Sequence, residues 1–184
     1  LFDETIRQSA ADGIPLINII MDQNALPGIK VDKGLQPIEG CPGENVTVGL
    51  EGLDERLKEY ATMGAKFTKW RAVIKVGKGI PSDDCIKANM RALAEYAKSA
   101  QENGMVPIVE PEVLMDGAHS IDECYAATER SLKSLFAHLE ENFVNIRGTL
   151  LKPNMVTSGK DCGEQVGIDD VVGAAVDDGL LVAL

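Results

Sequence analysis

Four charged residues, each set in a short apolar stretch, recur along the chain at nearly equal intervals. They are Lys30, Lys69, Glu110 and Lys152, separated by 39, 41 and 42 positions. The stretches have strand length and glycine or proline at or near their ends. Between them lie segments with the i, i+3, i+4 spacing of amphipathic helices. Repetition of this kind predicts parallel strands joined by right-handed crossover helices.

In chain order, residues 2–11 read as a short helix or a loop closed by Asp12-Gly13. Residues 15–22 are ambiguous between helix and strand, and 24–28 form a turn. The first strand lies in 28–34. Residues 37–49, rich in glycine and proline, predict a loop. A helix is expected over 50–63, with Leu50, Leu53, Leu57 and Tyr60/Ala61 on one face and Gly64 as its stop. The second strand spans 67–74. Ser82 caps a helix running to about Asn103, with Gly104 after it. The third strand lies in 105–114. Ser120-Ile121-Asp122-Glu123 is a capping box opening a helix to about Asn142, with Leu132, Leu135, Phe136 and Leu139 inward. The fourth strand is centred on Leu150, and a weaker helix runs from Ile168 to about Asp177. No Gly-x-Gly-x-x-Gly or P-loop follows a strand, so a nucleotide-binding open sheet loses support. The remaining common solution is an α/β fold of the (β/α)8 TIM-barrel type, read here as a single domain over 1–184.

The stretch Gly148-Thr149-Leu150-Leu151-Lys152-Pro153-Asn154-Met155-Val156 carries the sharpest chemical signal. Pro153 has no N–H for a ladder, so the strand should end there and leave Lys152 at its carboxyl end. Buried, an amine loses hydration and its pKa falls, which suits a nucleophile towards carbonyls. Read alone, the stretch favours the plainer reading of a lysine whose head snorkels to water.

The other strands tilt the reading towards function. Strand alternation sets Lys69 and Arg71 opposite Trp70 and Ala72, Glu110 and Glu112 opposite Val109 and Val113, and Lys152 and Asn154 opposite Leu151 and Pro153. Lys30 and Asp32 stand opposite Ile29 and Val31. Helix-facing positions must be apolar, so the charged set should meet at one height in the mouth at the carboxyl ends of the strands, where active sites of this fold lie. There Lys69 would lower the pKa of Lys152 by repulsion, and Glu110 would move protons during carbinolamine formation and dehydration. Arg71 and Lys30 suit phosphate. The competing reading is a structural ion cluster, which is costly for packing alone.

Other residues carry less. His119 and His138 lie in or beside a helix and are expected to face solvent, and Trp70 is expected to pack. Asp83-Asp84 and Asp169-Asp170 fit helix first turns. Cys41, Cys85, Cys124 and Cys162 show no CxxC or zinc spacing, so free thiols are expected and no metal site. A net charge of −11 argues against nucleic acid and anionic membrane as main partners. No apolar run reaches the roughly 18 residues of a spanning helix. The chain begins at Leu1 and ends on an apolar run, so a fragment is expected.

Together, Gly28-Ile29-Lys30-Val31-Asp32-Lys33-Gly34, Lys69-Trp70-Arg71, Ile108-Val109-Glu110-Pro111-Glu112 and Leu150-Leu151-Lys152-Pro153-Asn154-Met155-Val156 resemble class I fructose-bisphosphate aldolase. The resemblance covers residues 1–163, and 164–184 departs from it. It implies an incomplete barrel, from the end of the second strand through the helix after the sixth. It also implies reversible cleavage of fructose 1,6-bisphosphate to dihydroxyacetone phosphate and glyceraldehyde 3-phosphate, without cofactor, in glycolysis and gluconeogenesis. Lys152 matches the Schiff-base lysine, Glu110 the proton carrier and Lys69 a substrate-binding, catalytic lysine. Lys30, Arg71, Glu112 and Asn154 match pocket residues. Phosphorylated ketose and triose substrates, a cytoplasmic homo-oligomer (a homotetramer) and association with actin belong to the same implication. Two alternatives stay open: another Schiff-base barrel lyase of the transaldolase kind, and a non-catalytic fragment or interaction module.

Overall fold

A computed structural model describes residues 1–176. Along them the chain runs α1 (Asp3–Ile6), α2 (Leu16–Asp22), β1 (Gly28–Lys30), β2 (Leu35–Pro37), β3 (Asn45–Thr47), α3 (Leu53–Met63) and β4 (Phe67–Ile74). It continues with α4 (Asp83–Glu102), β5 (Val106–Val113), α5 (Ile121–Glu141), a 3-10 turn Ile146–Gly148, β6 (Leu150–Leu151) and α6 (Ile168–Val176). The order β1-β4-β5-β6 forms one parallel sheet, with α3, α4 and α5 in the successive crossovers. These are adjacent staves of an incomplete (β/α)8 barrel.

Local signals set most of these elements. Ser82 Oγ accepts from Cys85 N–H at 3.1 Å and starts α4. Ser120 and Glu123 close the reciprocal box of α5. Gly64 ends α3 at φ 112°, a conformation that costs glycine little. Asp83, Asp84, Asp169 and Asp170 occupy first helical turns, as charge and macrodipole favour.

Between sheet and helices lies the core. Trp70, Ala72 and Ile74 of β4 and Val109 and Val113 of β5 cluster with Met90, Leu93 and Tyr96 of α4 and Leu132, Leu135 and Leu139 of α5. Trp70 is fully buried and stacks on Tyr96, ring centroids 5.4 Å apart, so it packs as expected. The Tyr96 hydroxyl donates to Ile108 O at 3.3 Å and pairs with Thr68 Oγ1 at 2.8 Å, which satisfies it at the helix–sheet boundary.

Several expectations change. The segment 37–49, read as a loop, holds the end of β2 and all of β3, which pair as an antiparallel hairpin. All three β2 residues are exposed, so no apolar alternation advertises the strand. The hairpin is fastened to the core from outside its own sequence: Thr47 N–H donates to Asn89 Oδ1 at 3.1 Å and Asn89 Nδ2 to Asn45 O at 2.8 Å. The ambiguous segment 15–22 is helical, as α2. β6 has only two residues. The four cysteines are free, three of them buried. No described helix is long and apolar enough to cross a membrane. Asp177-Asp178-Gly179 and the apolar run 180–184 lie outside the described residues.

Candidate active site

Along β4 burial alternates: Thr68, Trp70, Ala72 and Ile74 are buried, and Lys69 and Arg71 lie on the half-exposed face. The helices therefore take one face and leave both cations on the other. On β5, Glu110 is only 2% exposed although it is charged. Parallel register sets Lys30 beside Lys69, and Arg71 beside Glu110. Val109 pairs with Leu151, so Lys152 arrives next to Glu110. The four charges thus stand at two levels of the ladder rather than one. A two-residue step between β4 and β5 separates the levels, and the long side chain of Lys69 spans it.

The carboxylate of Glu110 is the centre of the cluster. Lys69 Nζ lies 2.5 Å from Oε2 as an ion pair, and Lys152 Nζ donates to Oε1. Burial, the largest single influence, pushes the Glu110 pKa up. The hydrogen bonds and charges of Lys152 and Lys69 together outweigh it and hold the carboxyl below the ordinary carboxylate range. An ionised carboxylate is thus kept in a site that has taken almost all water from it.

The same face carries two more ion pairs. Lys30 Nζ donates to Asp32 Oδ1, and Arg71 Nε donates to Glu112 Oε2. The Asp32 side chain is 5% exposed and also lies 3.4 Å from the Arg71 backbone N–H. Alternation puts Asp32 on the interior face, but the resemblance does not count it among the site residues. Its contact with Lys30, two residues away, was the available signal. The Arg71 side chain is 40% exposed, so its guanidinium is open to an anion despite its partner.

Lys152 corrects one expectation. Its side chain is 55% exposed, not desolvated, because β6 is an edge strand of the described sheet. Glu110 stands between the amines of Lys69 and Lys152. His119 corrects another: it is 3% exposed, and neither ring nitrogen has a hydrogen-bond partner among the described residues. It is buried where the loop after β6 closes over it, through Gly159 N–H to His119 O at 2.8 Å and Asp161 N–H to Gly117 O at 2.9 Å. Asn154 spends its amide on the protein: Oδ1 accepts from Val113 N–H at 3.3 Å and Nδ2 donates to Thr128 Oγ1 at 3.1 Å. Among the described residues no group of three or more His, Cys, Asp or Glu side chains is arranged to hold a metal ion.

Residues 1–178 match the family model described as fructose-bisphosphate aldolase class-I, which extends past Gly163. The chain is 56% identical over 176 residues to a probable fructose-bisphosphate aldolase class 1 of Xanthomonas campestris pv. campestris, covering 96% of this chain and 53% of that protein. It is 49% identical over 166 residues to the cytosolic fructose-bisphosphate aldolase 4 of Arabidopsis thaliana, covering 90% and 42%. A solved Plasmodium falciparum fructose-bisphosphate aldolase, in complex with TRAP and a small-molecule inhibitor, superposes with a TM-score of 0.94 at 46% identity, over 97% of this chain and 52% of that one. The chain spans about half the length of the curated relatives it matches.

Proposed function

The chain belongs to the class-I fructose-bisphosphate aldolase family, and from that premise we propose that the complete protein carrying it cleaves fructose 1,6-bisphosphate reversibly through a Schiff base on Lys152. One observation carries this reading: a nearly buried, ionised Glu110 holds one lysine on each carboxylate oxygen. Glu110 takes a proton from the Lys152 ammonium and so frees a neutral amine. The nitrogen lone pair attacks the ketose carbonyl carbon, the carbonyl π pair moves to oxygen, and that oxygen takes one of the two protons on the now-positive nitrogen, which gives the neutral carbinolamine. Glu110 then returns its proton to that hydroxyl, which leaves as water as the C=N bond forms. The iminium is the electron sink for breaking the carbon–carbon bond between its α and β carbons.

Lys69, on the other oxygen of Glu110, supplies a fixed positive charge where negative charge develops on substrate oxygen. Arg71 and Lys30, half-exposed at the same mouth, suit the phosphate groups, with Glu112 and Asp32 orienting them. The same reading takes the cytoplasm as the compartment, supported by the cytosolic name of the Arabidopsis thaliana relative, and keeps the homo-oligomer that the sequence resemblance implies.

Borohydride reduction of the complete protein with dihydroxyacetone phosphate tests the assignment. Peptide mapping should find the adduct on Lys152, and cleavage should persist in EDTA. An adduct on another lysine, or activity abolished by chelation, overturns it.

A further inference from the structure

The ladder that positions Lys152 stops at Lys152 itself. β6 pairs with β5 through Leu150 and Leu151, and the last rung is Lys152 N–H to Val109 O at 2.9 Å. Pro153 has no N–H to continue it. Among the described residues the next backbone hydrogen bond from this segment is Gly159 N–H to His119 O at 2.8 Å. Residues 153–158 therefore leave the lysine strand without a backbone rung.

Strand alternation shows what is left open on β5. Val106 N–H and Leu114 N–H, both even-numbered, donate towards the β4 side, to Lys66 O at 3.1 Å and Ile74 O at 2.9 Å. Odd-numbered donors face the β6 side. Pro111 offers none, which leaves Val113 N–H without a strand opposite. Asn154 Oδ1 accepts from it at 3.3 Å. Its Nδ2 donates to Thr128 Oγ1 at 3.1 Å and to Met155 O at 3.0 Å. Thr128 is 2% exposed and is itself anchored to α5 by donating to Cys124 O at 2.8 Å. One amide thus replaces the missing rung and fastens it to the helix behind.

We propose that Asn154 is a positioning residue, whose amide, held between Val113 N–H and Thr128 Oγ1, fixes the Lys152 backbone against the strand that carries Glu110. It acts through Lys152 and does not bind substrate. Both functions of the amide are used, an acceptor for β5 and a donor for α5. Alanine supplies neither, and Thr128→Val removes the acceptor on α5 while keeping its shape. Small errors in placing reacting groups cost catalysis steeply, up to about a hundredfold for a displacement of about 1 Å.

The catalytic part of the test rests on the Schiff-base reading and is paired with a measurement that does not. In the complete protein, N154A should lose about tenfold to a hundredfold in kcat with KM nearly unchanged. Borohydride trapping of dihydroxyacetone phosphate on Lys152 should slow in parallel. T128V should show a smaller loss of the same kind, and T128S, which keeps the hydroxyl, should match the parent. Separately, amide exchange at Val113 should accelerate in N154A and T128V while Val109 stays protected. If N154A fails to fold, T128V against T128S carries both measurements. Unchanged trapping, a rise in KM with kcat preserved, or unchanged Val113 exchange overturns the proposal. A parent that forms no adduct, with Val113 exchange still dependent on Asn154, removes the Schiff-base reading and leaves the tie supported.

Discussion

Glu110→Gln in the complete protein separates chemistry from packing at the centre of the site. Glutamine keeps the size of glutamate and an acceptor oxygen but has neither the charge nor the proton affinity. The side chain is 3% exposed, so the two amines around it lose a desolvated counterion. Breaking a buried pair costs about 3–5 kcal/mol and an exposed one about 0–1 kcal/mol. Here the carboxylate is buried, while the Lys69 and Lys152 side chains are 30% and 55% exposed and gain water in exchange. The destabilisation should therefore fall between those limits, at about 1–3 kcal/mol. Against an ordinary stability of about 5–15 kcal/mol, nearly all of the protein stays folded. Loss of a positioned acid–base group is a larger effect on rate, about 10²–10⁴-fold, or roughly 3–5.5 kcal/mol of barrier. Measuring kcat for fructose 1,6-bisphosphate cleavage, the rate of borohydride trapping at Lys152 and the melting temperature together resolves the two. A modest fall in melting temperature with kcat down by at least about a hundredfold is expected. A variant whose kcat and trapping rate stay within about threefold of the parent would refute Glu110 as the proton carrier, because its acid–base contribution should exceed that many times over.

Other outcomes follow from the same geometry. The folded pKa of Glu110 lies below its unfolded value of about 4.3, so its stabilisation is full above that pH and is lost as pH falls through the folded pKa. The melting-temperature gap between parent and E110Q should therefore be constant near neutrality and narrow as pH drops below about 4.3. A gap that widens on acidification would contradict it. Gly159→Ala would place a Cβ 2.1 Å from Gly117 O, a backbone atom. The loop must shift, at about 1–3 kcal/mol, and denaturant titration should show a lower midpoint with an unchanged slope. Expressed alone, residues 1–184 should aggregate or pack loosely and show no aldol cleavage, since β6 is an edge of the described sheet, only Leu1 pairs with the outer side of β1, and Leu26, Leu150 and Phe2 are exposed. A sharp cooperative melt with turnover would refute that.

The sequence by itself determined whatever rests on local chemistry. The alternation in Phe67–Ile74, the Ser82 and Ser120 caps and the Gly64 stop are settled within a few residues of one another, and each element formed where those signals placed it. The spacing of Lys69, Glu110 and Lys152 by one strand–helix unit was also enough to bring them together, because parallel crossovers return each strand beside the last. Tertiary structure decided the rest. The β2–β3 hairpin exists because Asn89, far along the chain on α4, satisfies its backbone. His119 is buried because the loop after β6 is fastened over it, which nothing around position 119 announces. Exposure at Lys152 follows from β6 being an edge strand in the described sheet, not from the apolar residues beside it. The partners of Asn154, Val113 and Thr128, lie 41 and 26 positions away, so its role could be seen only once β5 and α5 stood on either side of it. Local sequence specifies which backbone groups can pair, but whether a polar atom meets water, a ligand or another strand depends on which distant segment covers it.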